Sequence, residues 1–207
     1  MVCLNGAPLE KSFLVSRVAS VDYVVAVDGG LNGLIESGIT PDIVIGDLDS
    51  AKPEYIKKVR SLHMPDQYST DLEKAFEHLK KIQITNVDVV GIEAGRVDHF
   101  LSNFFLLWKY VSDFSIQVRG VDWIGIFLAE KNKIILQPDT VVSLIPFTDC
   151  QGVTLDGFEY PLQNHNITLG NVGISNISRA EQVDVLIKSG KMLGIVYDVD
   201  MKWTCNS

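Results

Sequence analysis

Short apolar runs at residues 2–4, 23–27, 43–45 and 87–91 alternate with segments in which apolar side chains return every three or four positions. Leu72, Ala75, Phe76, Leu79 and Ile82 make one such series, and Leu101, Phe104, Phe105, Trp108 and Val111 another. That spacing gathers side chains on one face of an α-helix. Runs apolar throughout, separated by amphipathic helices, predict an α/β domain whose mainly parallel sheet is covered on both faces. After about residue 115 the helical period disappears. Apolar runs at 115–118, 124–128, 133–136, 141–145 and 192–197 then follow closely, punctuated by Lys131-Asn132, Gln137-Pro138-Asp139 and Asp156-Gly157. This is the pattern of antiparallel hairpins. The expected organisation is an α/β N-terminal domain over residues 1–120, followed by an all-β, sandwich or barrel-like C-terminal domain over 121–207.

Composition narrows the classes of partner. Of 207 residues, 46% are hydrophobic and 21% charged, as in an ordinary folded protein. The formal net charge of -8 argues against nucleic acid, whose phosphates are neutralised by Lys and Arg, while leaving room for a small polyphosphate carried with a divalent cation. Cys3, Cys150 and Cys205 have neither the pairing of a disulfide framework nor the spacing of a zinc site. No basic-then-apolar leader opens the sequence and no run approaches the ~18 apolar residues of a membrane span, so the expectation is a soluble, cytoplasmic protein with no membrane partner.

Ligands of a parallel sheet gather beyond the carboxyl ends of its strands. Asn5-Gly6, Asp28-Gly29-Gly30, Gly46-Asp47 and the segment 91–98 each follow a predicted strand, so four loops are expected to open on one crevice. In Gly46-Asp47-Leu48-Asp49-Ser50 two carboxylates stand one residue apart, an arrangement suited to a hard cation such as Mg²⁺ bound together with substrate phosphates. Ser50 is read as the cap of a helix over 51–60. Thr70 followed by Glu73 is a capping box, which puts Asp71 in the first turn of the next helix. Arg96 suits a phosphate clamp, with a surface ion pair to Glu93 or Asp98 as the plainer alternative. Asp98 also reads as an N-cap, and His99 alone as structural. Walker-type, G-x-G-x-x-G and G-x-S-x-G signatures are all absent.

Taken in order, the D-G-G turn at 28–30, Pro41-Asp42 with Gly46-Asp47-Leu48-Asp49-Ser50, Thr70-Asp71, and the run from Gly91 through Gly95-Arg96-Val97-Asp98-His99 resemble the thiamine pyrophosphokinase family. Val142-Ser143-Leu144-Ile145-Pro146, the stretch 157–162 and Gly173-Ile174-Ser175-Asn176 are similar to that family's thiamine-binding half. The resemblance implies Mg²⁺-dependent transfer of diphosphate from ATP to the hydroxyl of thiamine, giving thiamine diphosphate and AMP. It implies an ATP- and Mg-binding catalytic domain over 1–120, a thiamine-binding domain over 121–207, and a homodimer with active sites shared between subunits. Carried over by residue, Asp47, Asp49 and Asp71 hold Mg²⁺ and phosphates, and Gln67 and Thr70 position the substrates. Arg96 binds ATP phosphate, Asp28, Asp98, His99 and Asn103 lie near the nucleotide, and Ser175 and Asn176 near thiamine. Asp71, Asp49 and Arg96 are the residues expected to carry catalysis, with Asp71 favoured as acceptor of the alcohol proton. Where many bacterial members read K-D-x-T-D, this chain reads Asp66-Gln67-Tyr68-Ser69-Thr70-Asp71, so a motif lysine is missing and the cation replacing it is left open. Trp203 suits either stacking on the thiazolium ring or the core. A pyrophosphokinase for another alcohol, such as a hydroxymethylpterin, and a binding protein without turnover are the alternatives.

Overall fold

A computed structural model describes residues 1–93, 96–171, 173–198 and 200–206. Gly95 of the arginine-bearing motif lies outside the described residues. The chain divides into two compact units, Met1–Val121 and Asp122–Ser207.

In the first unit, strands β1 (Val2–Cys3), β2 (Val25–Val27), β3 (Ile43–Gly46), β4 (Ser61–His63), β5 (Asn86–Val90) and β6 (Ser115–Arg119) alternate with helices α1 (Lys11–Val18), α2 (Gly30–Glu36), α3 (Pro53–Ile56), α4 (Asp71–Lys81) and α5 (Val97–Leu107). The strands lie in the order β6-β5-β1-β2-β3-β4, and every pair is parallel. The chain steps outward from β1 through β2 and β3 to β4, then returns to the other side of β1 for β5 and β6. A switch point therefore lies between β1 and β5, where loops diverge and leave a crevice. Val2, Val25, Val44, Ile45 and Val89 are fully buried, as branched side chains in a sheet covered on both faces should be. From α4, Leu72, Ala75, Phe76 and Leu79 face inward, with Phe76 stacked on Tyr110 at 4.8 Å between ring centroids and edge-on to Phe114 at 5.1 Å.

Several local expectations are corrected. Residues 115–119 do not open the antiparallel region: as β6 they run parallel to β5, with Asn86 opposite Ser115 and Val90 opposite Arg119. Alternation of inward Ile116 and Val118 with polar neighbours fits either partner, so it does not reveal which strand lies alongside. Helix α3 begins after Lys52 and has no side-chain cap; the Ser50 hydroxyl instead donates to Asp49 Oδ1 at 2.9 Å. Helix α5 buries Phe104 and Leu107 but leaves Leu101 51% and Phe105 64% exposed, so two of the five residues expected on its inner face are largely exposed.

The second unit consists of β7 (Ile124–Leu128), β8 (Lys131–Ile135), β9 (Val141–Pro146), β10 (Cys150–Asp156), β11 (Leu162–Ile167), β12 (Gly173–Ile177), β13 (Gln182–Leu186), β14 (Met192–Val196) and β15 (Lys202–Asn206). One antiparallel sheet runs β12-β9-β14-β7 and another β11-β10-β13-β8-β15. Ile126, Leu144 and Met192 of the first share a core with Ile134, Val153 and Val183 of the second, which is sandwich packing. Lys131 and Asn132 open β8 rather than forming a turn of their own. The buried Asn132 side chain closes the preceding bend, accepting from Ala129 N–H and donating to the Ala129 and Val185 carbonyls. Trp203 takes its core role, packing on this cluster and donating Nε1–H to Asn132 Oδ1 at 3.3 Å.

Candidate active site

At the carboxyl ends of the first unit's strands lies a crevice of about 470 Å³, within the ~300–1,000 Å³ usual for small-ligand sites. Asn5 and Gly6 reach it from β1, Asp28 from β2, Asp47 and Ser50 from β3, residues 67–74 from the start of α4, and Gly91 and Arg96 from beyond β5. The loops are pressed together: a Cβ on Gly6 would fall 2.1 Å from the Gly91 carbonyl oxygen. Gly46 is needed twice over, for its φ of +146° and because a Cβ there would meet Asp71 Cγ at 3.0 Å.

Three carboxylates converge. Asp28, Asp47 and Asp71 each present an oxygen within 4.8 Å of the others. The Asp47 N–H donates to Asp71 Oδ1 at 3.2 Å, the Ser50 N–H to Asp28 Oδ1 at 3.2 Å, and Gln67 Nε2 to Asp47 Oδ2 at 3.1 Å. Donation from Gln67, then from the Asp49 N–H, holds the Asp47 carboxyl below the usual carboxylate range. Burial pushes Asp71 the other way, opposed by the ammonium of Lys74. Lys74 Nζ lies 2.9 Å from Asp71 Oδ1 and 2.7 Å from the Met64 carbonyl oxygen, with its side chain 2% exposed. A set of hard, anionic oxygens at this spacing fits Mg²⁺, which is held by one or two carboxylates plus waters and substrate phosphates.

The remaining sequence candidates of the first unit stand at or near this cluster, and those of the second unit are described by themselves. Asp49, expected beside Asp47 as a ligand, is exposed and stands outside the group of three, its Oδ1 taken by the Ser50 hydroxyl. Asp28, read only as a turn residue near nucleotide, is inside it. Thr70 makes the full capping box, accepting from the Glu73 N–H at 3.2 Å while Glu73 accepts from the Thr70 N–H at 2.9 Å. Arg96 forms a bidentate pair with Asp98, Nε to Oδ1 at 3.1 Å and Nη2 to Oδ2 at 2.5 Å, which holds the Asp98 carboxyl down at about 2. Asp98 does not cap α5: it sits in the first turn, and the N-cap position is Arg96. His99 and Asn103 line the crevice. In the second unit Ser175 is exposed at φ +57°, whereas Asn176 is buried and spends its amide on the backbone of Tyr160 and Ile177. Lys74 was missed, because periodicity marks a buried face by its apolar members; its position three residues after Asp71 was the available signal.

Residues 15–119 match the family model for the catalytic domain of thiamin pyrophosphokinase, and residues 131–192 match the model for its vitamin B1 binding domain. The chain is also 34% identical over 165 residues to the thiamine pyrophosphokinase of Bacillus subtilis (strain 168), covering 71% of this chain and 73% of that one. It belongs to the thiamin pyrophosphokinase family. As a member it is a diphosphokinase enzyme, with the crevice in the unit that matches the family's catalytic domain. A thiamin pyrophosphokinase of Caenorhabditis elegans is 26% identical, with 97% of this chain and 88% of that one covered. The crystal structure of the B. subtilis thiamine pyrophosphokinase superposes with a TM-score of 0.80 at 26% identity, covering 96% and 98% of the two chains. Thiamin pyrophosphokinase from Candida albicans shares the fold, at 17% identity and a TM-score of 0.81 over 95% and 88%.

Proposed function

We propose that the protein transfers the terminal diphosphate of ATP to the hydroxyl oxygen of thiamine, with Mg²⁺ required, releasing AMP. The observation that carries this reading is the group Asp28, Asp47 and Asp71 in a crevice at the switch point of the sheet. Asp47 and Asp71, common to the motif and to this group, are the principal ligands. Asp28 by proximity and Asp49 by motif are the two candidates for a third. The bound cation supplies neutralisation of charge on the phosphate oxygens. Arg96 exchanges its exposed pair with Asp98 for phosphate oxygens, to which its planar fork is matched. Gln67 keeps Asp47 oriented, and the capped start of α4 holds Asp71 at the crevice. Asp71 Oδ2 accepts no hydrogen bond among the described residues and is open to the cation, while Oδ1 already holds two donors, so Asp71 serves as a ligand rather than as the acceptor of the alcohol proton.

Thiamine is assigned to the second unit, since residues 131–192 match the B1 binding model; this also disfavours a hydroxymethylpterin acceptor. The intact carboxylate group favours turnover over binding alone. A homodimer with shared sites, in the cytoplasm, completes the proposal; no helix among the described residues is long and apolar enough to cross a membrane. Incubation of the protein with ATP, Mg²⁺ and thiamine should yield AMP and thiamine diphosphate in equal amounts. ADP as the nucleotide product overturns the diphosphate transfer.

A further inference from the structure

Lys74 is a buried ammonium that neither the motif nor the reaction scheme uses. Its side chain is 2% exposed, among Leu72, Ala75 and Phe76 on the inner side of α4. A charge taken from water to that degree persists only where its partners compensate. Its two partners are informative. One is the carbonyl of Met64, whose own N–H donates to the Gly46 carbonyl at 2.8 Å, so Lys74 is tied to the strand end that carries the Gly46-Asp47 turn. The other is Asp71 Oδ1. That oxygen also accepts the Asp47 N–H, and among the described residues these are the only hydrogen bonds to the Asp71 carboxylate. Two donors on one oxygen fix the rotation of the carboxyl group and leave Oδ2 free. The ammonium also offsets the mutual repulsion of carboxylates that lie within 4.8 Å of one another.

We propose that Lys74 is the positioning residue of the metal site: it clamps Asp71 by Oδ1 and so presents Oδ2, in a preset orientation, to the divalent cation. The inference rests on the proposed function only for the presence of a cation in this group. It takes the place left open by the absent motif lysine, but from beneath the carboxylate rather than from the phosphate side.

The sign of one measurement separates this role from a merely electrostatic one. Removing a nearby positive charge should by itself tighten cation binding, whereas loss of the clamp should weaken it. Mn²⁺ titrated into the full-length protein and followed by its electron paramagnetic resonance signal reads this without any turnover. We expect Lys74→Met to weaken Mn²⁺ binding about tenfold or more, the scale seen when partners that orient metal ligands are removed, and Lys74→Arg to stay within about threefold of the parent. Thermal melts report whether each variant is folded, and Lys74→Leu, equally unable to donate to Asp71, serves if Lys74→Met is not. Folded Lys74→Met that binds Mn²⁺ as tightly as the parent or more tightly overturns the positioning role and leaves the metal site standing. A parent protein that binds no Mn²⁺ overturns the site and the role together.

Discussion

At the scale of single residues, the acids of the crevice differ in what each substitution removes. Asp47→Asn and Asp71→Asn each take a charge from the proposed cation and should lower turnover by about 100-fold or more, the loss usual for a group that stabilises charge in the transition state. Steady-state AMP release measures this. Asp71→Asn carries a second cost, because it leaves the Lys74 ammonium buried beside a neutral amide; we expect about 1–3 kcal/mol of lost stability in denaturant melts. The double variant with Lys74→Met should recover much of that stability but none of the activity. Comparison of Asp28→Asn with Asp49→Asn identifies the third ligand as the one whose loss matches Asp47→Asn. Legibility at this scale was uneven for physical reasons. Asp47 stood out because a carboxylate at a strand end has few structural uses, and Asp71 because the capping box fixes its place at the helix start, where an acid also has a structural use. Asp28 looked like an ordinary turn residue, since its neighbours in space come from β3 and α4. Lys74 was hidden by its own charge, which reads as solvent-facing until its partners are known.

At the scale of elements, α4 is the one whose sequence and structure agree most fully, and it holds Asp71. Phe76→Ala removes its largest buried side chain and should cost about 3–5 kcal/mol of stability. Thr70→Ala opens the capping box and should cost about 1 kcal/mol in the same melts. Glu73 adds a pH dependence of definite sign. Donation from Lys109, then from the Thr70 N–H, holds its carboxyl below the ordinary value of 4.5, so folding gains from the ionised form. That gain is complete above the ordinary value and is lost as pH falls through the lowered one. The stability difference between the parent and Glu73→Gln should therefore shrink steadily below about pH 4.5. Strands β1, β2, β3 and β5 were readable as apolar runs because they are buried on both faces. Strand β4 was not, because all three of its residues are exposed, and neither was β11, whose middle residues face solvent. The partner of β6 was unreadable in principle, since alternation reports a face and not a neighbour.

At the scale of the molecule, the outward side of α5 is the feature that composition gives no reason to expect. Val97, Leu101 and Phe105 recur at four-residue spacing and are 72%, 51% and 64% exposed. An exposed apolar stripe of this kind is what an interaction face carries. In the proposed homodimer it belongs at or near the subunit contact. Leu101→Glu should shift the sedimentation coefficient from dimer toward monomer, and if sites are shared, activity should fall with the dimer fraction.

The contact between Gly46 and Asp71 has a consequence for how this chain can change over generations. Every missense mutation at that codon introduces at least a methyl-sized group, and each strains the backbone while shouldering aside the same carboxylate. Drift at position 46 is therefore closed off by the site next to it, and a gain of rigidity by glycine replacement, harmless in many turns, is foreclosed at this one.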